Sequence, residues 1–165
     1  MKIEPQKSPN LSQLGQLLKN MSVCMLTNLN DEGALVSRPM SPHHMCKEGH
    51  IWFLTNQYSN KVKHLAALNL AFSNESDSTY VSLSGVGEIV LDQDLIKKYW
   101  SVLAKPWFPD GVNSHELSLL KFSTEVADYW DAPHCKMMRL VAMAASIVTA
   151  KPVGLGEHGH LEMHG

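Results

Sequence analysis

Two apolar runs, residues 22–29 (SVCMLTNL) and 34–40 (ALVSRPM), are separated only by Asn30-Asp31-Glu32-Gly33. Four residues cannot carry a crossover, so the second run returns antiparallel to the first as a hairpin. The turn chemistry agrees, because Asn and Asp suit tight turns and Gly33 can take positive φ. Pro39 has no N–H to give a ladder, which places it at an edge, a bulge or a strand end.

The same extended character returns along the chain. Residues 50–56 (HIWFLTN) are rich in the aromatic and β-branched types that strands prefer, and 69–72 form a short strand before a polar turn. Residues 79–91 (TYVSLSGVGEIVL) read as a strand pair or one bent strand, with Gly85 and Gly87 two apart as marks of a bend or a close backbone approach. A final half-buried strand spans 117–130, with Leu120, Phe122, Val126 and Trp130 set against Lys121, Ser123, Glu125 and Ala127.

Helices are expected at four places. Ser8-Pro9 is a start signal, followed by Leu11, Leu14, Leu18 and Met21 at helical spacing. Ser59 opens a second helix, with Val62, Leu65, Ala66 and Leu68 or Leu70 as its apolar stripe. Asp92 caps a third, in which Leu95, Ile96, Tyr99, Trp100 and Leu103 share a face. A methionine- and alanine-rich stretch after Pro133, running to about Val148, reads as a closing helix. Residues 105–113 (KPWFPDGVN) cannot be regular, because two prolines and a glycine punctuate two large aromatics. With strands neighbouring in sequence and no βαβ alternation, the expectation is an α+β, mainly β chain: an antiparallel sheet or barrel with flanking helices. Residues 1–150 form its single domain, and 151–165 are expected to be a flexible tail.

Composition narrows the function classes. The chain has 165 residues, 44% hydrophobic and 18% charged, with a net charge of −2, so no global field draws in nucleic acid or an anionic membrane. Cys24, Cys46 and Cys135 are odd in number and unrelated in spacing, which argues against a disulfide framework and for a reducing cytoplasm. Neither a leader-like N-terminus nor an apolar run of bilayer length is visible. Neither GxGxxG nor GxxxxGK occurs, so a nucleotide is not expected to be held in Rossmann or P-loop fashion. The loop with His43, His44, Cys46 and His50 lacks CxxC spacing and a second cluster, so no metal site is assigned there.

Arginine is scarce: Arg38, in a strand, and Arg139 are the only two. Next to the third strand, Leu54-Thr55-Asn56-Gln57-Tyr58-Ser59-Asn60-Lys61 ends a strand, turns, and opens the expected helix between hydroxyls with a lysine in its first turn. Unpaired N–H groups at a helix start, the Thr55 and Ser59 hydroxyls and the Lys61 charge suit a phosphate. Arg38 on a nearby strand would add a planar two-pronged donor. Read singly, Ser59 is an ordinary N-cap, and Arg38 a partner for Asp31 or Glu88.

The ordered series GALVSRPM, IWFLTNQYSNKVKHL and YVSLSGVGEIV resembles the FMN-binding split-barrel superfamily of pyridoxamine 5′-phosphate oxidase. Together with KPWFPDG and VADYWDAP it is more closely similar to the general stress protein 26 branch, over about residues 14–132. The resemblance implies a homodimer of six-stranded split barrels with FMN, or FAD, in the groove between the two chains. It implies that Arg38 holds the phosphate and that Leu54 and Thr55 touch the flavin. Ser59, Asn60 and Lys61 match the opening of the phosphate helix, with Asn60 standing where the oxidase often has arginine. Pro39, Met40 and Ser41 would run beside the isoalloxazine, and Trp130 would meet the flavin of the other chain.

After Trp130 the oxidase continues with an Arg-x-His-x-Arg run, whereas this chain reads Asp-Ala-Pro-His-Cys-Lys, so pyridoxamine phosphate oxidation is not expected. Trp107 and Phe108 are read either as an aromatic lid over the flavin or as an anchor for their loop. No side chain stands out as a catalytic acid or base. The function expected is thus flavin binding of the general stress type, with a small-molecule electron donor if the protein is an oxidoreductase such as an NAD(P)H-dependent reductase. A non-catalytic flavin carrier or sensor, and a cofactor-free dimeric interaction protein, are the alternatives.

Overall fold

In the computed structural model, which describes residues 1–59, 62–131 and 157–163, the first helix starts where its sequence signal lies. Helix α1 (Pro9–Leu18) is capped by Ser8, whose hydroxyl accepts from the Leu11 N–H at 3.3 Å. Its stripe buries Leu14 and Leu18 fully, and Met21 follows them into the core.

Strands β2 (Cys24–Leu29) and β3 (Leu35–Met40) form the expected hairpin, with Leu26 opposite Arg38. The turn is closed by Asn30, whose Oδ1 accepts from the N–H groups of Glu32 and Ala34, and Gly33 takes φ +78°. Strands β5 (Ile51–Asn56), β6 (Leu68–Asn74), β7 (Thr79–Val90) and β8 (Leu117–Asp131) complete the six that the sequence predicts.

The sheet is larger than six strands and it is not closed. Short strands β1 (Lys2–Ile3) and β4 (His44–Met45) pair in parallel, and β9 (Glu157–Glu162) adds to β8, making nine strands among the described residues. The hydrogen-bonded path runs β1-β4-β5-β8-β7-β6-β2-β3, with β9 on β8. Its ends, β1 and β3, are not paired with each other. Pro39 thus lies on an edge strand, one of the positions open to it. Within the tail expected to be flexible, Glu157–Glu162 form β9. The closing helix expected after Pro133 lies outside the described residues.

A bulge divides the long β7–β8 ladder. Gly85 opposes Thr124 while Ser84 opposes Val126, so Glu125 is an extra residue on β8. Side chains alternate with period two, so one inserted residue exchanges the faces beyond it. Leu120 and Phe122 point inward before the bulge and Ala127 and Tyr129 after it. Val126 and Trp130, expected on the face of Leu120 and Phe122, therefore point outward. β7 has no insertion and keeps Val81, Leu83, Gly85 and Gly87 on the inner face throughout.

The inner face is the main core, built around Leu26, Phe53, Leu70, Leu83 and Phe122 under α1. A second layer covers the outer face of β5 and the start of β8. Helix α2 (Gln93–Tyr99), capped by the Asp92 carboxylate on the N–H groups of Asp94 and Leu95, packs Ile96 and Tyr99 against Trp52, Leu117 and Leu119. Of the stripe expected for this helix, Leu103 falls beyond it in a 3-10 turn (Val102–Ala104) and is 77% exposed.

The helix expected from Ser59 is not formed by the described residues. A single turn follows Ser59, whose carbonyl accepts from the Val62 N–H at 3.1 Å, and the Leu65 carbonyl accepts from the Gly87 N–H at 2.7 Å. Leu68 and Leu70, read as a helical stripe, belong to β6, opposite Gly85 and Leu83. The strand ladder takes these backbone groups in preference to a local helix.

Candidate flavin site

Arg38 and Thr55 point to one side of the sheet. Arg38 shares the inner face of β3 with Val36 and Met40, opposite buried Leu26. Thr55 shares the inner face of β5 with Ile51 and Phe53 and is 1% exposed. Arg38 Nη1 and Thr55 Oγ1 are both buried without a hydrogen-bond partner. A buried donor left unpaired costs about 1–3 kcal/mol, more when charged, so each is a group that an oxyanion would relieve.

The carboxylates that could have neutralised Arg38 are engaged elsewhere. Asp31 meets His64 at 2.8 Å and Lys63 at 3.2 Å, and these contacts, His64 first, hold its carboxyl below the ordinary aspartate range. Glu88 meets Lys121 at 3.3 Å across the β7–β8 ladder. These donors fit an anion such as a phosphate.

Other expected residues are placed differently. Leu54 faces the opposite side of β5 from Thr55 and packs on the second layer. Met40 is buried in the main core, its carbonyl accepting from the Cys24 thiol at 3.5 Å, while Pro39 is exposed. Burial pushes that thiol up to about 12, so Cys24 is no nucleophile. Ser59 sits three residues past the end of β5, its N–H donating to the Asn56 carbonyl at 3.2 Å. Asn60 and Lys61 lie outside the described residues, and no helix continues through residues 63–67. The case rests on Arg38 and Thr55.

The two loop aromatics separate. Phe108 is 6% exposed in the second layer, which makes it the anchor, whereas Trp107 is 74% exposed. Trp130 is 47% exposed on the outer face of β8, its ring 5.0 Å from that of His158 on β9.

Sequence reasoning passed over three further residues. Asn28 is 2% exposed on the inner face of β2, and its Nδ2 donates to the His64 carbonyl at 3.4 Å. The alternation of β2 (Cys24, Leu26, Asn28) was the available signal. Tyr58 and His115, from two loops, have near-parallel rings with centroids 6.0 Å apart. Nothing local pairs residues so far apart in sequence.

The open, mostly antiparallel sheet with its flanking helices is a fold shared with known proteins. The chain belongs to the pyridoxamine 5′-phosphate oxidase-like family, whose model matches residues 10–153. It is 26% identical over 172 aligned residues to protein bli-3 of Neurospora crassa, covering 90% of this chain and 82% of that one. In fold it is similar to a structure described as general stress protein 26 from Jannaschia sp. CCS1, with TM-score 0.73 and 24% identity over 92% of this chain and 96% of that one. It is also similar to the general stress FMN/FAD binding protein of Xanthomonas citri, with TM-score 0.62 and 24% identity over 73% and 87% of the two chains. Among the described residues no helix is long and apolar enough to cross a membrane.

Proposed function

We propose that this protein binds a flavin nucleotide, FMN or FAD, with the flavin phosphate placed against Arg38 and Thr55. The observation that carries the reading is the pair of buried, unpartnered donors, Arg38 Nη1 and Thr55 Oγ1, on one face of the sheet. Membership of the family and the likeness to the FMN/FAD binding protein of Xanthomonas citri support the choice of a flavin over other phosphate esters. By resemblance, Ser59, Asn60 and Lys61 add to the phosphate site, the backbone of Pro39 and Met40 runs beside the ring, and Leu54, whose side chain packs on the second layer, touches it through its backbone. The exposed Trp130 and Trp107 would meet a second copy of the chain and its flavin, so the active unit proposed is a homodimer. A bound flavin would supply the redox chemistry, and the chain would bind it, orient it and limit water around it.

The test compares ligands with and without phosphate. FMN should bind with quenching of its fluorescence, and Arg38→Ala, alone and with Lys61→Ala, should weaken FMN more than tenfold while leaving riboflavin nearly unchanged, since a charged hydrogen bond contributes about 1.5–3 kcal/mol. Equal losses for both ligands would remove the phosphate from the explanation. No binding at high micromolar flavin would end the proposal. Anaerobic bleaching of bound flavin by NADH or NADPH separates a reductase from a carrier.

A further inference from the structure

Strand β9 carries the run His158-Gly159-His160, and its register settles which way these residues face. Gly159 pairs with Tyr129 and lies flat against that ring, with no room for a Cβ. Side chains alternate along a strand, so His158 and His160 both project from the opposite, outer face. There each imidazole meets its own register partner on β8. The His158 ring is 5.0 Å from that of Trp130, and His160 Nδ1 is 2.7 Å from Asp128 Oδ1. Both histidines are exposed, so a solute reaches their rings.

Two successive outward positions of one strand are about 7 Å apart at their Cα atoms. Two imidazoles close that span onto a single ion at an N–metal distance of about 2.0–2.1 Å. The Asp128 contact adds what a pair of histidines alone lacks. A carboxylate on Nδ1 draws the ring proton to that nitrogen and leaves the Nε2 lone pair of His160 open to a ligand. The same pairing fixes the orientation of metal-bound imidazoles and raises their basicity. Among the described residues no three His, Cys, Asp or Glu side chains are grouped to hold an ion. The described residues therefore contribute the pair alone, and water fills the remaining positions.

We propose that His158 and His160 together bind one late first-row divalent ion, Zn²⁺, Ni²⁺ or Cu²⁺, with Asp128 as the positioning residue behind His160. Imidazole nitrogen suits these ions, whereas Mg²⁺ and Ca²⁺ take oxygen ligands and are not held. Chelation by alternate residues needs extended backbone, so a bound ion favours the strand over any other conformation of residues 157–162. The pair lies on the outer face of the sheet and Arg38 and Thr55 on the inner one, so the site does not depend on the flavin reading.

Isothermal titration of the full chain with Zn²⁺ and with Ni²⁺ tests this. Wild type should take up one ion per chain, and His158→Ala and His160→Ala should each weaken it by at least about tenfold. Asp128→Ala should weaken it about tenfold, while Asp128→Asn, whose carbonyl still accepts from Nδ1, keeps most of the affinity. Saturating Zn²⁺ should slow proteolysis within 157–163 in wild type and leave His158→Ala unprotected. Absence of binding, or binding that survives replacement of both histidines, overturns the site. Affinity lost with the histidines but unchanged in Asp128→Ala would mean that a loose tail holds the ion, and the strand-built site falls.

Discussion

Gly159 of β9 lies against the ring of its register partner Tyr129 on β8, so closely that a Cβ there would overlap the Tyr129 ring. Tyr129 cannot easily yield, because it is 9% exposed and its hydroxyl accepts from Gln13 Nε2 at 2.8 Å on α1. The strand is tied further by His160 on Asp128 at 2.7 Å and by the Met163 N–H on the Glu125 carbonyl at 2.9 Å. Gly159→Ala should therefore detach β9 and leave the rest of the sheet folded. Limited proteolysis should cut within 157–163 several-fold faster, with far-UV circular dichroism otherwise near that of wild type. Unchanged cleavage would mean that the ladder yields instead.

The N-terminus carries an acid-sensitive tie. Glu4 Oε1 meets His44 Nε2 at 2.9 Å and Glu4 Oε2 accepts from the Lys47 N–H at 3.2 Å, with His44 stacked on Tyr99 at 4.6 Å. The His44 hydrogen bond is the main cause that holds the Glu4 carboxyl below its ordinary value of 4.5. A carboxyl lowered by folding stabilises the fold above its unfolded pKa and loses that contribution as pH falls through the folded one. Melting temperature should thus drop more steeply below about pH 4.5 in wild type than in Glu4→Gln, and the two curves should run parallel near neutrality. Identical acid limbs would show that this carboxylate carries no linkage.

Gly85 and Gly87 differ in what a methyl group would strike. At Gly85 a Cβ would overlap the Ser123 backbone carbonyl across the ladder, whereas at Gly87 it would meet the Leu68 Cδ1 methyl at 2.7 Å. A side chain can rotate away and a paired backbone cannot. Gly85→Ala should cost about 1–3 kcal/mol in urea unfolding, and Gly87→Ala distinctly less. Equal losses would show that the strand at the bulge is free to shift.

The loop aromatics should separate in the same way. Phe108→Ala should destabilise by about 3 kcal/mol, since it empties a place in the second layer against Trp52 and Ile96. Trp107→Ala, at an exposed ring, should stay within about 0.5 kcal/mol of wild type. A loss of flavin affinity in the Trp107 variant without a loss of stability would make that ring a ligand contact; no change in either would leave it a solvated side chain.

Much of the molecule could be read from local sequence. The Ser8 cap, the Asn30–Gly33 hairpin turn and the Asp92 cap are satisfied by groups within four residues, so their signals are complete in the chain itself. Arg38 likewise stood out as a rare cation in a strand, and Gly85 and Gly87 as a place of close approach. The family could be recognised because these motifs occur in a fixed order.

Tertiary structure decided what depends on distant partners. The stretch after Ser59 had a helical stripe, but the ladder with Gly85 and the bond from the Gly87 N–H to Leu65 drew the chain into β6 instead. The inserted Glu125, visible only in the pairing with Ser84 and Gly85, turned Trp130 outward and Tyr129 inward. Glu157–Glu162 of the tail became a strand because β8 offered them an unpaired edge beyond the bulge. Residue types and turns were legible because they act over a few residues; register, bulges and the face of each side chain were not, because they are set by backbone hydrogen bonds between segments far apart in sequence.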